Sequence, residues 1–416
     1  GQEFLAHLDE MNLETVTKVV VVGEGGDRES YVAWIDSAAT EDPQVEVGWT
    51  DTSYQLYTSG TTGLPKGVEL TNRNFFEMLP AASHEWYFDE ESVNLVAMPL
   101  FHIAGSGWGV VGLYNGGTNI LLREADLVEL LRLIETYEIT NALLVPAILQ
   151  FLLITPEAQE TSFSSLRCMV YGASPITEEV LAGSMELMGC KFVQVYGLTE
   201  TTGGVTILRA DDHDPGGPRA HLLRSAGRVS GDVELRIVDP ETKQDLPESQ
   251  VGEIWVKSIQ NLKSYWKDPT ATQEAYPEGL DDDGRGWFRT GDAGYLSDGF
   301  LFIHDRVKDM IISGAENIYP AEIENVLMGH PEIADAAVIG VPDEKWGETV
   351  KAIITPAPDS DPDEADLIAY CRENLAHYKC PTSVDRMQMI PRNPSGKILK
   401  TELRKPYWEG RDRSVN

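Results

Sequence analysis

Residues 57–68 of this chain read YTSGTTGLPKGV, and the strand-like segment SYQLY leads into them. Three glycines let the backbone turn tightly with its N–H groups pointing inward, four hydroxyls add hydrogen-bond donors, and one lysine adds a point charge. The residues concerned are Thr58, Ser59, Gly60, Thr61, Thr62, Gly63, Lys66 and Gly67. This combination suits a polyphosphate better than a flexible surface loop does. It is not the P-loop of kinases and GTPases, because Gly67 follows the lysine where that motif needs Ser or Thr.

Strand and helix patterns alternate around this loop up to about residue 250. Apolar runs predict buried strands at 18–24, 94–100 and 118–122. Two more strands, at 165–174 and 191–200, each run into a glycine-containing turn. Helices are predicted at 126–139, with Asp126 as the N-cap, and at 176–188. This alternation predicts an α/β fold with a mostly parallel sheet covered by helices.

The pattern changes from about residue 228 onward. Short strands at 233–239, 252–258 and 299–305 are separated by turn signals and predict a small antiparallel sheet or barrel. After Arg306, helices at 321–329 and 363–375 flank a strand at 334–341. This last stretch has the size of a compact α+β domain.

The composition limits the possible partners. The chain has 416 residues, a formal charge of −34, and 42% hydrophobic residues. Such a chain is globular, and its acidity argues against nucleic acid and anionic membrane surfaces. No apolar run reaches the roughly 18 residues of a membrane helix. Four cysteines without a CxxC pair predict a reducing, cytoplasmic compartment.

One stretch has the opposite charge. Residues 386–413 hold eight basic and three acidic residues, a net charge of +5. Because ATP and CoA are strongly anionic, we expect this stretch, together with Lys66, Arg306 and Mg²⁺, to supply positive charge to bound phosphates.

Five further stretches occur in the order known from one family: MPLFHIAG (98–105), VYGLTET (195–201), WFRTGD (287–292), DRVKDMIISGAENIYPAEIE (305–324) and PRNPSGKILK (391–400). From about residue 50 to 405 the chain thus resembles the adenylate-forming enzymes. These include acyl-CoA synthetases, aryl-CoA ligases, firefly luciferase and peptide-synthetase adenylation domains, and the likeness is greatest to bacterial fatty acyl-CoA ligases.

The resemblance implies a large domain at residues 1–307 and a small, mobile α+β domain at residues 308–416. The large domain would combine helix-covered, mostly parallel sheets with a small β-barrel-like part. Relatives carry a longer segment before the phosphate loop, so the N-terminal part of the large domain is expected to be missing. The chain also begins with Gly1 rather than Met, which predicts that it starts inside a larger protein.

The resemblance also implies a reaction in two halves that uses ATP, Mg²⁺ and CoA. A carboxylate first joins AMP and releases pyrophosphate, and the thiol of CoA then attacks the acyl adenylate. Between the halves the C-terminal domain would swing about a hinge at Lys308. One scaffold would thereby present two catalytic arrangements by rigid-body motion.

Residues of the VYGLTET stretch are implied to bind the nucleotide. Tyr196 would lie against adenine, and Thr199 would contact the α-phosphate. Glu200 would hold Mg²⁺ together with Thr58, since a hard cation prefers oxygen ligands. The alternative for Glu200 is an ordinary carboxylate in the first turn of a helix. The other implied nucleotide contacts are Gly172, Ala173, Ser174 and Gly197.

Three charged residues from later stretches complete the implied nucleotide site. Asp292 would accept both ribose hydroxyls, and Arg306 would reach the ribose or the phosphates. Lys397 would bridge the carboxylate and the α-phosphate, where a cation offsets the charge that builds as one anion attacks another. The alternatives are a surface ion pair for Arg306 and an exposed lysine for Lys397.

The CoA side of the resemblance contains a match and a departure. Trp346 matches a tryptophan that CoA ligases of this type place near CoA, although it could be an ordinary half-buried indole. Relatives usually carry two glycines where this chain has Gly314 and Ala315. The added methyl would lie beside the channel for the pantetheine arm, and we expect the channel to survive.

The expected acid is a medium to long fatty acid. Where peptide-synthetase domains carry an aspartate for the amino group, this chain has His102, and an unpaired buried ammonium is costly. His102 would gate the acyl pocket, or it is a packed core histidine. The predicted pocket residues are His102, Ala104, Gly107, Trp108 and Gly172.

Several alternatives remain open at this point. The acid could be aromatic, and the acceptor could be the thiol of a carrier protein instead of CoA. A catalytically silent relative that binds nucleotide or acyl-CoA is a third reading. A homodimer also remains open.

Overall fold

The computed structural model describes residues 4–409 apart from 9, 24–27, 60–64, 125, 175, 315 and 393–396. The chain separates into two compact units, Gly1–Gly48 and Trp49–Asn416. The first unit contains α1 (Leu5–Leu8), β1 (Val20–Val21), β2 (Glu29–Ser30) and α2 (Tyr31–Asp36). The expected domain boundary between residues 307 and 308 stays a prediction.

The second unit contains the remaining elements. Its first half consists of β3 (Thr52–Ser59), β4 (Pro65–Thr71), α3 (Asn72–Glu85), β5 (Val93–Val96), α4 (Ile103–Tyr114), β6 (Thr118–Leu121), α5 (Leu127–Thr136), β7 (Asn141–Leu144), α6 (Pro146–Ile154), α7 (Pro156–Glu160), β8 (Cys168–Gly172), α8 (Glu178–Met188), β9 (Lys191–Leu198) and β10 (Gly203–Leu208). Next come β11 (Arg228–Val229), β12 (Glu234–Val238), β13 (Gly252–Lys257), β14 (Ser264–Tyr265), α9 (Pro269–Ala275), β15 (Trp287–Ser297) and β16 (Phe300–Arg306). The last are β17 (Ile311–Ser313), β18 (Glu316–Ile318), α10 (Pro320–Met328), β19 (Ile333–Asp343), β20 (Gly347–Pro356), α11 (Glu364–Asn374), β21 (Ser383–Arg386) and α12 (Lys400–Trp408).

The predicted helix-covered sheet is confirmed. Seven strands lie in the order β11-β10-β9-β8-β7-β5-β6, and the pairs from β9 to β6 are parallel. Helices connect these parallel strands, as a right-handed βαβ crossover requires. The predicted cap is also confirmed, because the Asp126 carboxylate accepts the backbone N–H of Glu129 at 2.9 Å at the start of α5.

Two predicted buried strands differ from the structure. The segment 18–24 forms only the two-residue strand β1, which pairs with β2, and Val22 is 61% exposed. The segment 118–122 is β6, the outermost strand of the seven, and its Leu121 is 59% exposed. Both segments are apolar enough to suggest burial, but β6 has a neighbour on one side only, so half of its surroundings are open.

Three antiparallel or mixed sheets complete the second unit. The order β14-β4-β3 places the phosphate loop at a hairpin, and β12-β13-β15-β16 is the predicted antiparallel sheet. In the last part of the chain, β18-β17-β20-β19 is antiparallel, and β21 adds to β20 in parallel. Helix α10 packs against β19, and its Ile323 and Leu327 belong to the core of this part.

Membrane and disulfide features can be read from the same residues. In the described part of the chain, no helix has the length and apolar character needed to cross a bilayer. All four cysteines carry free thiols. Because free thiols are compatible with a reducing environment, the cytoplasmic location stays a prediction.

We predict that the close approach of β9 and β10 depends on Gly197. A Cβ atom at Gly197 would lie 1.8 Å from the carbonyl oxygen of Gly203, so Gly197→Ala forces the backbone apart. We expect it to lower the free energy of unfolding in urea by at least about 3 kcal/mol. Gly189→Ala is the matched control, since Gly189 has φ 61° but open space around its Cβ, and it should cost about 1–2 kcal/mol. Equal losses in the two variants would contradict this steric explanation.

Candidate active site

The carboxyl ends of β8 and β9 lie side by side and form the floor of the site. A Cβ at Gly172 would lie 2.2 Å from the carbonyl oxygen of Val195, so only glycine fits this strand end. The next residue, Ala173, has φ 66°, a left-handed conformation that is costly for a residue with a side chain. Ser174 follows half-buried. Ligands of α/β sheets bind at carboxyl strand ends, and stored strain is typical of such sites.

The ends of the phosphate loop are held by strand pairing. Thr58 on β3 lies opposite Lys66 on β4, and Ser59 lies opposite Pro65. Gly60, Thr61, Thr62 and Gly63 lie outside the described residues, so their predicted contacts with phosphate stay predictions. The hairpin nevertheless brings both ends of the loop to one edge of the β14-β4-β3 sheet.

Glu200 connects the phosphate loop to the end of β9. Its Oε1 accepts hydrogen bonds from the hydroxyls of Thr58 and Tyr265, each at 3.2 Å. The ammonium of Lys66 lies 5.2 Å from the centre of the Tyr265 ring. Burial and the neighbouring carboxylate raise the pKa of Tyr265, so its hydroxyl stays protonated and remains a donor. Thr199, Glu200 and Thr201 form a single 3₁₀ turn in which Thr199 is buried.

The oxygen atoms around Glu200 fit the predicted Mg²⁺. One carboxylate and one hydroxyl, those of Glu200 and Thr58, meet within hydrogen-bond distance. Among the described residues, no group of three or more His, Cys, Asp or Glu side chains could hold a metal by itself. Mg²⁺ at phosphate sites usually takes one or two carboxylates, with phosphate and water oxygens as the other ligands. The predicted role of Glu200 and Thr58 is therefore chemically consistent and stays a prediction.

Asp292 is the centre of a second cluster. Its Oδ2 accepts the Tyr196 hydroxyl at 2.8 Å, and its Oδ1 lies 2.7 Å from Nε of Arg306. Asp292 is buried, and the Arg306 side chain is 29% exposed, so this is not a pair on the open surface. A carboxylate offers about four acceptor positions, so two remain for further donors such as ribose hydroxyls. Burial, and then the charge of Asp292, raise the pKa of Tyr196.

Lys397 reaches this second cluster from the far end of the chain. Protein atoms crowd its ammonium, although the residue as a whole is exposed. Burial, and then the neighbouring Arg306, lower its pKa to about 8, Lys308 adds to this effect, and Asp292 opposes it. Burial also lowers the pKa of Lys308, which lies in a short turn directly after β16. Three cationic side chains thus converge near one ion pair, which suits a bound anion.

The basic stretch 386–413 differs from the expectation. Four of its basic residues pair with carboxylates of the protein, which reduces the positive charge they offer to a ligand. These pairs are Arg386–Asp361, Arg392–Asp335, Lys400–Glu324 and Arg404–Asp309. Arg411 and Arg413 lie outside the described residues. Lys397 is the member of this stretch whose ammonium lies close to both Asp292 and Arg306.

The predicted acyl-pocket residues lie on and before α4. His102 is the N-cap of α4, where its Nδ1 accepts the N–H of Ala104 at 3.2 Å. Burial lowers the pKa of His102, so the imidazole is neutral. Trp108 is 2% exposed, and its Nε1 donates to the carbonyl of Leu95 at 3.0 Å, so it is a core residue. A Cβ at Gly107 would meet Ile103 at 3.2 Å. Their roles toward an acyl chain stay predictions.

The two predicted CoA residues that the structure describes are in contact. The N–H of Gly314 donates to the carbonyl of Trp346 at 2.9 Å. Gly314 has φ 60°, and a Cβ there would lie 2.6 Å from the Trp346 ring, so the indole lies flat over the glycine. The indole remains 49% exposed and available for contact with a ligand. Ala315 lies outside the described residues.

Sequence reasoning missed Tyr265. This residue lies on the two-residue strand β14, and its hydroxyl shares the Glu200 oxygen with Thr58. The sequence around it, KSYWKD, contains no recognisable motif. Pairing of β14 with β4 is what brings it to the phosphate loop, and that pairing has no local signal.

Comparisons with known proteins match most of the chain. The profile of AMP-binding enzymes matches residues 2–266, and that of the AMP-binding enzyme C-terminal domain matches residues 322–397. The fatty acid–[acyl-carrier-protein] ligase ScoC of Streptomyces coeruleorubidus is 39% identical, over 100% of this chain and 78% of the relative. The long-chain-fatty-acid–CoA ligase FadD13 of Mycobacterium tuberculosis is 39% identical, over 91% and 72%. The crystal structure of ATP-bound MatB from Rhodopseudomonas palustris has a TM-score of 0.82 at 31% identity, over 91% and 73%.

We predict that Lys397 reacts as an amine far below the usual pH range. Only neutral amines react with acylating reagents, so labelling followed by peptide mass spectrometry should give a midpoint near pH 8 for Lys397. In urea the midpoint should move to about 10.4. Asp292→Asn should lower the native midpoint, because the carboxylate raises the pKa of Lys397. A native midpoint equal to the one in urea would contradict the described environment.

Proposed function

Since this chain belongs to the AMP-binding enzyme family, we propose that it is an ATP-dependent fatty acyl-CoA synthetase. In the first half-reaction a carboxylate oxygen bonds to the α-phosphorus of ATP, and pyrophosphate leaves. In the second half-reaction the sulfur of CoA bonds to the acyl carbon, AMP leaves, and the thiol proton passes to solvent. The similar ligases from Streptomyces and Mycobacterium are likewise acid–thiol ligases.

The observation that carries this proposal is the approach of Lys397 to the Asp292–Arg306 pair. Joining a carboxylate to ATP brings two anions together, so the transition state needs fixed positive charge. Lys397 bridges the incoming carboxylate and the α-phosphate in the proposal, and Arg306 binds the ribose or the phosphates. Asp292 holds the ribose through the acceptor positions that Tyr196 and Arg306 leave open.

The other side of the nucleotide falls to the phosphate loop and the end of β9. Lys66 and the loop hydroxyls bind the phosphates in the proposal, and Thr199 contacts the α-phosphate. Glu200 and Thr58 hold Mg²⁺, which would neutralise phosphate charge when bound. Tyr265 orients the Glu200 carboxylate by donating to its Oε1. Adenine lies between Tyr196 and the strand end at Gly172, Ala173 and Ser174.

The second half-reaction uses a different arrangement of the C-terminal residues. We propose that the part after Lys308 rotates, which withdraws Lys397 and presents Gly314 and Trp346 to CoA. Lys308 lies in a short turn between β16 and β17, where a change of backbone angles disturbs few hydrogen bonds. The exposed Trp346 indole offers a flat apolar surface to the pantetheine arm.

A fatty acid is the substrate that the surroundings of His102 favour. The lowered pKa of His102 keeps it neutral, and an amino acid would bring an ammonium into this region without a carboxylate partner. Ala104 and Gly107 are small and leave room for an extended chain. An aromatic acid is the alternative within the same chemistry.

A second candidate is transfer of the acyl group to a carrier protein. The specific observation that favours it is the 39% identity, along the whole chain, to a ligase that loads an acyl-carrier protein. The thiol of a carrier protein and that of CoA both belong to a phosphopantetheine arm, so the first half-reaction is the same. Exposed Trp346 favours CoA as the acceptor.

The experiment is a pyrophosphate-release assay with ATP, Mg²⁺ and dodecanoate. We expect release that is slow without an acceptor and increases when CoA is added, with acyl-CoA detected by mass spectrometry. Acceleration by phosphopantetheinylated carrier protein, but not by CoA, would replace CoA as the acceptor. Ferulate in place of dodecanoate tests the aromatic alternative. No release with any carboxylate would support a silent relative and overturn the proposal.

We predict that Lys397→Ala separates the two half-reactions. Losing one preorganised cation should slow adenylate formation by ~10²–10³-fold. Attack of CoA on acyl adenylate that is supplied ready-made should stay within about two-fold of the wild type, because Lys397 is assigned to the first half only. The two rates are measured separately by pyrophosphate release and by thioester formation. Equal losses in both would show that the assignment of Lys397 is wrong.

A further inference from the structure

Asp305, the residue before Arg306 at the end of β16, contacts three separate segments. Its Oδ1 accepts the N–H of Arg306 at 2.7 Å. Its Oδ2 accepts the N–H of Ala321 at 2.9 Å and lies 3.6 Å from Nζ of Lys400. The side chains of Asp305 and Lys400 are each only 9% exposed. A carboxylate buried to this extent must have its charge compensated, and here the compensation comes from α10 and α12.

The contact with Ala321 replaces a missing helix cap. Ala321 lies in the first turn of α10, and the N-cap residue Tyr319 forms no side-chain capping bond. The first N–H groups of a helix lack partners inside the helix and carry a partial positive charge. Asp305 therefore provides both the acceptor and the negative charge that the start of α10 requires, from a strand of another sheet.

The contact with Lys400 fixes the start of α12. Lys400 is the first residue of α12, and its ammonium also lies 2.9 Å from Oε1 of Glu324 on α10. That Glu324 oxygen accepts the N–H of Val338 on β19 at 2.7 Å. One turn further along α12, Arg404 pairs with Asp309 at 2.7 Å. The first turn of α12 is thus held by carboxylates of β16, α10 and the turn after β16.

We propose that Asp305 is a positioning residue that holds Lys397 against the Asp292–Arg306 pair. Lys397 precedes Lys400 by three residues, and Arg306 follows Asp305 directly. The Asp305–Lys400 pair therefore joins the two chain segments that carry these cations, at a point only a few residues from each. Asp305 itself does not touch the reacting atoms. This inference rests on the proposed function, in which Lys397 acts in adenylate formation.

The test uses Asp305→Asn. An asparagine carbonyl can still accept the N–H of Ala321, so α10 keeps its cap while the charge that attracts Lys400 is lost. The matched control is Asp385→Asn, since Asp385 also pairs with a lysine, Lys351 at 2.8 Å, in the C-terminal part of the chain. Lys400→Arg retains the positive charge and serves as the conservative variant.

We expect Asp305→Asn to slow adenylate formation about ten- to hundred-fold through kcat, because misplacing a catalytic group by about 1 Å has effects of this size. The KM for ATP and the attack of CoA on supplied acyl adenylate should stay within about two-fold of the wild type. Asp385→Asn should leave both half-reactions near the wild type, and Lys400→Arg should retain most of the adenylating activity. Equal losses in both half-reactions for Asp305→Asn would indicate a merely structural role and overturn the inference.

Labelling of Lys397 gives a readout that does not require activity. Removing a nearby negative charge can by itself only lower the pKa of a lysine. Displacement of Lys397 from its buried place beside Arg306 should instead raise the midpoint in Asp305→Asn from about 8 toward 10.4. A midpoint that stays at the wild-type value or falls would overturn the inference. If the wild type forms no adenylate with any carboxylate, the proposed function fails, and the labelling midpoint still decides whether Asp305 positions Lys397.

Discussion

The antiparallel pairing of β15 with β16 places Asp292 directly opposite Arg306, and the rest of the candidate site is arranged around this ion pair. Tyr196 reaches it from the end of the parallel sheet, and Lys397 reaches it from the last part of the chain. The register of two strands thereby connects three parts of the fold. A slip of one residue would turn both side chains to the opposite face of the sheet. Because the pair is largely buried, its partners must be held well enough to repay the lost hydration.

An acidic protein that acts on polyphosphates must concentrate its cations. The sequence suggests the basic stretch 386–413 as their source, but the structure pairs Arg386, Arg392, Lys400 and Arg404 with carboxylates. Two of these pairs hold α12 in place, so they contribute indirectly to where Lys397 lies. Positive charge near the ion pair comes instead from Arg306, Lys308 and Lys397. In this arrangement most basic residues of the stretch have a structural role, and one of them reaches the ligand site.

Short-range signals account for what could be predicted from the sequence. The cap at Asp126 and the order of strands and helices depend on residues a few positions apart, and the structure confirms both. The contact of Tyr265 with Glu200 joins segments far apart in the chain and has no local signal. The capping of α10 by Asp305 is hidden for the same reason, since the helix lacks a cap of its own. The extent of strand 18–24 was mispredicted because an apolar run shows a preference for burial but not the presence of neighbouring strands.

The charge on Lys397 should depend on whether the site holds an anion. Burial and the neighbouring Arg306 and Lys308 favour its neutral form, which is why its pKa is about 8. A bound polyphosphate adds negative charge and reverses this balance, because an opposite charge within a few ångström favours the protonated form. By linkage, binding of the polyanion then takes up a proton at pH values near 8 and above. A lysine held in this way carries its full charge when the phosphates are present, and the empty site avoids much of the cost of three crowded cations.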